Sequence, residues 1–262
     1  MIRSPLGLRL DPSRPIKEQI RGAASAGARG VIVDAAGDLA PDRLSETGRR
    51  EFRQMLRSVE LDLIALNLPT RRPFDNLEQL EDRLSRAERA FSLAYELGTR
   101  LVLARVGGLP PEDDASRRVA FTTALRELGR RADHRGVRFA IETGTEPGGI
   151  LGTFLDQLEI PSLCVSLDPS SLLRQGIDPV AATRELGAWV AHAYANDASR
   201  SSRSPTLANP RGMGFPAGAL DWEEYLGALE EINYRGFLTV WPETDRDPTT
   251  QFREMAERLR RF

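Results

Sequence analysis

The sequence predicts a (β/α)8 barrel. Eight short runs rich in Val, Ile, Leu or Phe are spread over 262 residues, and helical apolar stripes separate them. Glycine stands shortly before several of the runs, where a helix ends and a strand begins. A doubly wound open sheet is the competing architecture. Its first strand–helix turn would be LDPSRP, which lacks a glycine-rich phosphate loop, so no nucleotide cofactor is expected. One domain spanning residues 1–262 is expected, because the chain contains no linker, low-complexity tract or short repeat.

In order, the candidate strands are Leu6–Leu10, Gly30–Asp34, Leu63–Asn67, Leu101–Arg105, Arg138–Glu142, Cys164–Asp168, Val190–Asn196 and Phe237–Trp241. Each is short and bounded by turn residues. Between them, Phe52, Met55, Leu56 and Val59 make one stripe at helical spacing, and Leu77, Leu80, Leu84, Ala87, Phe91 and Ala94 make another. Gly27, Gly98, Gly136 and Gly187 are candidate C-terminal caps. The longest loop, Ser199–Gly218, follows the seventh run, which places it at the C-terminal face where barrels keep their sites.

The counts exclude several chemistries. The 36 basic and 38 acidic residues give a net charge of -2, with no footprint for nucleic acid. Only Lys17 is a lysine, and it lies in the first helical segment, which argues against Schiff-base chemistry. Cys164 is the single cysteine, so no internal disulfide or cysteine-rich zinc site can form. The two histidines, His134 and His192, cannot build a three-histidine or multi-zinc centre. A mean hydropathy of -0.36, no apolar run of membrane length and no leader pattern set the expectation of a cytoplasmic protein without a membrane partner.

Alternate residues of a barrel strand face the interior, and the helix-facing set is apolar. Val137, Phe139 and Ile141 therefore face out and Glu142 faces in; Asp168 follows by the same parity. Ala191, Ala193 and Ala195 share one face of the seventh run, leaving His192, Tyr194 and Asn196 on the other. Trp241 ends the eighth run inward, and Arg9, Asp34, Asn67 and Arg105 take the corresponding places on the first four. Buried carboxylates need a partner, so Glu142 and Asp168 either belong to a site, or pair with Arg9 or Arg105 and cap the following helices.

The stretches FAIETGTEPGG, SLDPSSLL and GFLTVWPE resemble the xylose isomerase-like TIM-barrel superfamily, and within it the sugar phosphate isomerases/epimerases; the resemblance runs along essentially the whole chain. It implies a divalent metal (manganese, magnesium, cobalt or zinc) held by a Glu, an Asp, a His and a Glu at the ends of strands five to eight. Such an ion polarises a sugar carbonyl while two glutamates move a proton. By motif the first Glu is Glu142 and the Asp is Asp168. The His motif, of the form HVHAKDA, reads HAYANDA here and puts Tyr194 at the ligand position; LTVWPE puts Trp241 at the last. Two of four ligands are replaced by groups poorly suited to a metal, which makes the metal site partial. Glu243 shares the parity of Trp241 and is a candidate second proton-transfer group beside Glu142. His192 is either a displaced ligand or a hydrogen-bonded core histidine. Arg200 matches an arginine that contacts substrate oxygens in related epimerases, and Asp197 matches a supporting acid.

Two readings follow. In the first the chain is a sugar or sugar-phosphate isomerase or epimerase with a divergent site: Glu142 and Glu243 transfer protons, Glu142 and Asp168 hold an ion in a partial site with His192 or Glu243 as the candidate further ligand, and Arg200, Tyr194, Trp241, Asn67, Arg9 and Arg105 bind substrate. In the second it is a metal-free, catalytically inactive barrel that binds a small molecule or regulates, with Arg9 or Arg105 neutralising Glu142 and Asp168. A guanidinium seated between the two carboxylates speaks for the second.

Overall fold

A computed structural model describes residues 4–197, 220–243 and 246–262. The strands are β1 Leu6–Arg9, β2 Gly30–Asp34, β3 Asp62–Asn67, β4 Leu101–Ala104, β5 Arg138–Glu142, β6 Leu163–Leu167, β7 Val190–Tyr194 and β8 Leu238–Val240. They are parallel and pair in sequence order, and β8 returns to β1 to close the barrel. Closure leaves no exposed edge and brings all the C-terminal strand ends to one mouth.

The helices among the described residues are α1 Ile16–Ala26, α2 Glu46–Ser58, α3 Leu80–Leu97, α4 Ala115–His134, α5 Gly148–Leu158, α6 Pro169–Arg174, α7 Pro179–Leu186, α8 Trp222–Glu231 and α9 Pro248–Leu259. None is long and apolar enough to cross a membrane. Local chemistry sets their ends. Ser45, Asp114, Asp168, Asp178, Asp221 and Asp247 accept hydrogen bonds from first-turn backbone amides, satisfying donors that have no partner in the helix. Gly98 stops α3 at φ 95°, its amide returning to Ala94 and Tyr95; a side chain there would be strained.

Most buried apolar residues lie between strands and helices. A smaller cluster of Ile32, Ala65, Leu103, Ala140, Cys164 and Tyr194 fills the barrel interior. The strand alternation breaks in two places. Ile64 is the extra residue where β3 shifts register against β2. Its side chain takes the space that a Cβ on Gly7 or Gly30 would need. Ala191 is the extra residue where β7 shifts against β6. It packs on the interior cluster, whereas Ala193 and Ala195 belong to the outer one. Beyond such a bulge the following residues are re-aimed, and here that sets the direction of Asn67 and Tyr194.

Candidate functional site

A polar layer lies one step below the mouth. His192 is buried; its Nδ1 is 2.8 Å from Ser166 Oγ and its Nε2 is 2.9 Å from Thr239 Oγ1. Both ring nitrogens are thus engaged by neutral hydroxyls. Burial, and secondarily the Arg9 charge, push the imidazole down to about 3. A histidine of ordinary pKa in the unfolded chain must lose its proton to fold this way. Stability is therefore lost as pH falls below about 6.5 towards the folded value. His192→Gln, which keeps hydrogen-bonding atoms without titrating, should flatten the urea-denaturation stability profile between pH 6.5 and 4. An unchanged slope would exclude His192 as its source.

Above this layer the residues at the strand ends converge. Arg9, from β1, is the hub, with a side chain only 8% exposed. Its Nη1 donates to Tyr194 Oη at 2.9 Å and to Glu142 Oε1 at 3.4 Å, and its Nη2 donates to Asp34 Oδ1 at 3.2 Å. Asn67 Nδ2 donates to the same Asp34 oxygen at 2.9 Å. Tyr194 Oη donates to Glu142 Oε1 at 3.0 Å. Burial first, then the Glu142 charge, hold this hydroxyl well above its ordinary pKa, so it stays a neutral donor. Burial also raises Glu142, against the opposing pull of Arg9 and Arg105.

Arg105, just past β4, is the second guanidinium. Its Nε lies 3.4 Å from Glu142 Oε2 and its Nη2 lies 3.8 Å from Asp168 Oδ2. The two carboxylate side chains are 3% exposed and the arginine 54%. One guanidinium thus sits between the two acids and also faces the cavity. Asp168 caps α6 through the Ser171 amide and accepts the Ser171 hydroxyl proton at 2.7 Å. Its own amide donates to Thr143 Oγ1 at 2.8 Å.

Trp241, just past β8, closes the group. Arg9 lies over its ring at 3.7 Å from the centroid, and the Tyr194 ring is 5.4 Å away. Asn196 fixes its backbone, accepting from the Trp241 amide at 2.9 Å. A guanidinium stacked on an indole and paired with carboxylates is held in one orientation.

The structure brings together Arg9, Asn67, Arg105, Glu142, Asp168, Tyr194 and Trp241. Glu243 stands outside the cluster: its backbone is joined to α9 by two hydrogen bonds with the Gln251 side chain, and it lines the adjoining cavity. Asp197 lines the same cavity and accepts from the Leu220 amide at 3.2 Å. Arg200 and the Ser199–Gly218 loop lie outside the described residues. Lys17 and His134 are exposed on α1 and α4. Ser171 and Arg174 were not among the site residues expected from the sequence. The signal for Ser171 was the spacing in DPSS, which puts a hydroxyl three residues after a helix-capping Asp.

The adjoining cavity, which Arg105, Asp168 and Trp241 of this group border together with residues of α6 and α9, has a volume of about 690 Å³, within the range of small-molecule sites. Among the described residues no three His, Cys, Asp or Glu side chains are gathered as a metal site would require.

A family model described as a xylose isomerase-like TIM barrel matches residues 20–262. The chain is 28% identical over 241 residues to a 3-dehydroshikimate dehydratase of Pseudomonas putida, covering 87% of this chain and 36% of that protein. It spans 36% to 57% of the length of the curated relatives it matches. Among solved structures, a xylose isomerase domain protein from Planctomyces limnophilus superposes with a TM-score of 0.80 at 20% identity, over 98% of this chain and 95% of that one. D-psicose 3-epimerase from Clostridium cellulolyticum H10, solved with D-tagatose, superposes with a TM-score of 0.77 at 15% identity, over 98% of both chains. At such identities the likeness concerns the fold.

Proposed function

Because the chain belongs to the xylose isomerase-like TIM-barrel family, we propose that its mouth takes a small polyhydroxylated ligand without a divalent metal. The observation that carries this reading is the pair of guanidiniums on Glu142. A divalent ion needs several anionic or imidazole donors with open lone pairs. Here Glu142 Oε1 accepts from both Arg9 and Tyr194, and Oε2 faces Arg105. Asp168 is shared between Ser171 and Arg105. Tyr194 is a neutral hydroxyl, and the indole of Trp241 has no lone pair for a metal. The residues present do not fit the metal, and a doubly charged ion would also meet two guanidiniums at close range.

What remains suits binding. Arg105, whose side chain is 54% exposed, lines the cavity together with Trp241, Asn196 and Asp168, a mixed polar and aromatic wall. The superposed D-psicose 3-epimerase was solved with a ketohexose, which supports a sugar-like ligand. Proton transfer by Glu142 would require freeing an oxygen from Arg9, Tyr194 or Arg105, so this reading is one of binding rather than isomerisation.

The test is calorimetric titration with D-tagatose and D-psicose in the presence of EDTA. Binding should survive the chelator and weaken about tenfold or more in Arg105→Met, as expected for one charge-assisted hydrogen bond. Binding or turnover abolished by EDTA and restored by Mn²⁺ would contradict the proposal.

A further inference from the structure

We propose that the ligand of this mouth carries an anionic group, a phosphate ester or a carboxylate, seated between Arg174 and Arg105. This rests on the reading of the mouth as a metal-free ligand site, and it adds a residue to that site.

Arg174 ends α6 and folds back along it. Its Nη1 donates to Ser170 Oγ at 2.6 Å and its Nη2 donates to Ser171 Oγ at 2.7 Å. The spacing explains the fold-back, since side chains three and four residues apart share a helix face. Arg105 Nη2 approaches the same Ser171 oxygen at 3.5 Å. Ser171 gives its only hydroxyl proton to Asp168, so both its lone pairs are turned to guanidiniums. Two like charges therefore converge on one neutral oxygen.

Their compensation is unequal. Arg105 has Glu142 and Asp168 beside it. Arg174, among the described residues, forms no ion pair; its donors go to hydroxyls alone. Of the other arginines in the cavity wall, Arg246 is paired with Glu254, and Arg258 lies 5.1 Å from the Trp222 ring centroid. Arg174 and Arg105 both line the cavity, so two guanidinium side chains border the space that an anion would enter. Planar, multi-donor recognition is the arrangement arginine offers to phosphate and carboxylate oxygens. A bound anion would also relieve the repulsion between the two cations.

The probes are inorganic phosphate and D-gluconate, with xylitol as the neutral control. Each is titrated in EDTA at low ionic strength into wild type, Arg174→Gln, Arg105→Met and Arg235→Gln. Arg174 and Arg235 are both exposed, and Arg235 lies at the opposite end of the barrel. Circular dichroism confirms that each variant is folded. The expected result is saturable binding of phosphate, gluconate or both to wild type and Arg235→Gln, weakened at least tenfold in Arg174→Gln and Arg105→Met. Phosphate alone identifies a phosphate ester as the group, and gluconate alone a carboxylate. Absence of anion binding, or binding that Arg174→Gln leaves intact, overturns the inference. The metal-free reading fails on a different measurement, stoichiometric Mn²⁺ uptake, so the two failures are separable.

Discussion

Arg9→Ala should lower the melting temperature by roughly 10 °C. The substitution removes the one cation shared by Asp34 and Glu142, the donor to Tyr194, and the group stacked on Trp241. Breaking a buried charge cluster by deleting one partner costs about 3–5 kcal/mol, and each kcal/mol is worth about 2–4 °C in a domain of this size. Arg9→Lys should rescue little, because an ammonium cannot span three acceptors in one plane. The loss should also depend on pH. Burial raises the folded-state pKa of Glu142, so the folded chain holds its proton longer than the unfolded chain does. Stability from this group is then lost as pH rises above the ordinary carboxylate range. Without Arg9 the raised range widens and the decline steepens. Thermal denaturation between pH 4 and 8 measures both effects. A variant within 2 °C of wild type at every pH would show that Arg9 does not hold the mouth together.

The second large effect concerns metal affinity. Tyr194→His with Trp241→Glu restores the two donors that the family resemblance expects. The structure adds a condition: Arg105 still occupies the space between Glu142 and Asp168. The double variant should therefore gain little. Adding Arg105→Ala should tighten Mn²⁺ binding by about a hundredfold over the double variant. Removing one unit charge about 4 Å from a site at effective dielectric 20 is worth several kcal/mol per charge on the ion, and part is returned as water refills the space. Calorimetry on wild type, double and triple variants reads this directly. Equal affinity in double and triple variants would mean that Arg105 does not guard the carboxylates.

Much of the site was legible because a closed barrel carries every strand end to the same mouth. Once parity placed Glu142, Tyr194 and Arg9 inward, their meeting followed from the architecture. The choice of partner did not. Whether Arg9 or Arg105 would neutralise a given carboxylate depends on side-chain reach across the barrel; both contact Glu142, and only Arg105 reaches Asp168. The strand-by-strand alternation was also incomplete. The shifts at Ile64 and Ala191 are properties of strand pairing rather than of one strand's own pattern, and Ile64 fills space beside Gly7 on β1. Asp168 shows the limit at a strand end. Parity placed it inward, and it lies just past β6 as the N-cap of α6, where its partner Ser171 comes from the helix rather than from a strand.

Guanidiniums in place of a metal predict a metal-free protein, and the metal content of purified wild type checks this. Elemental analysis, followed by Mn²⁺ titration of EDTA-treated protein, should find far less than one ion per chain and no saturable uptake. One tightly held ion per chain, lost in Asp168→Asn, would contradict the account.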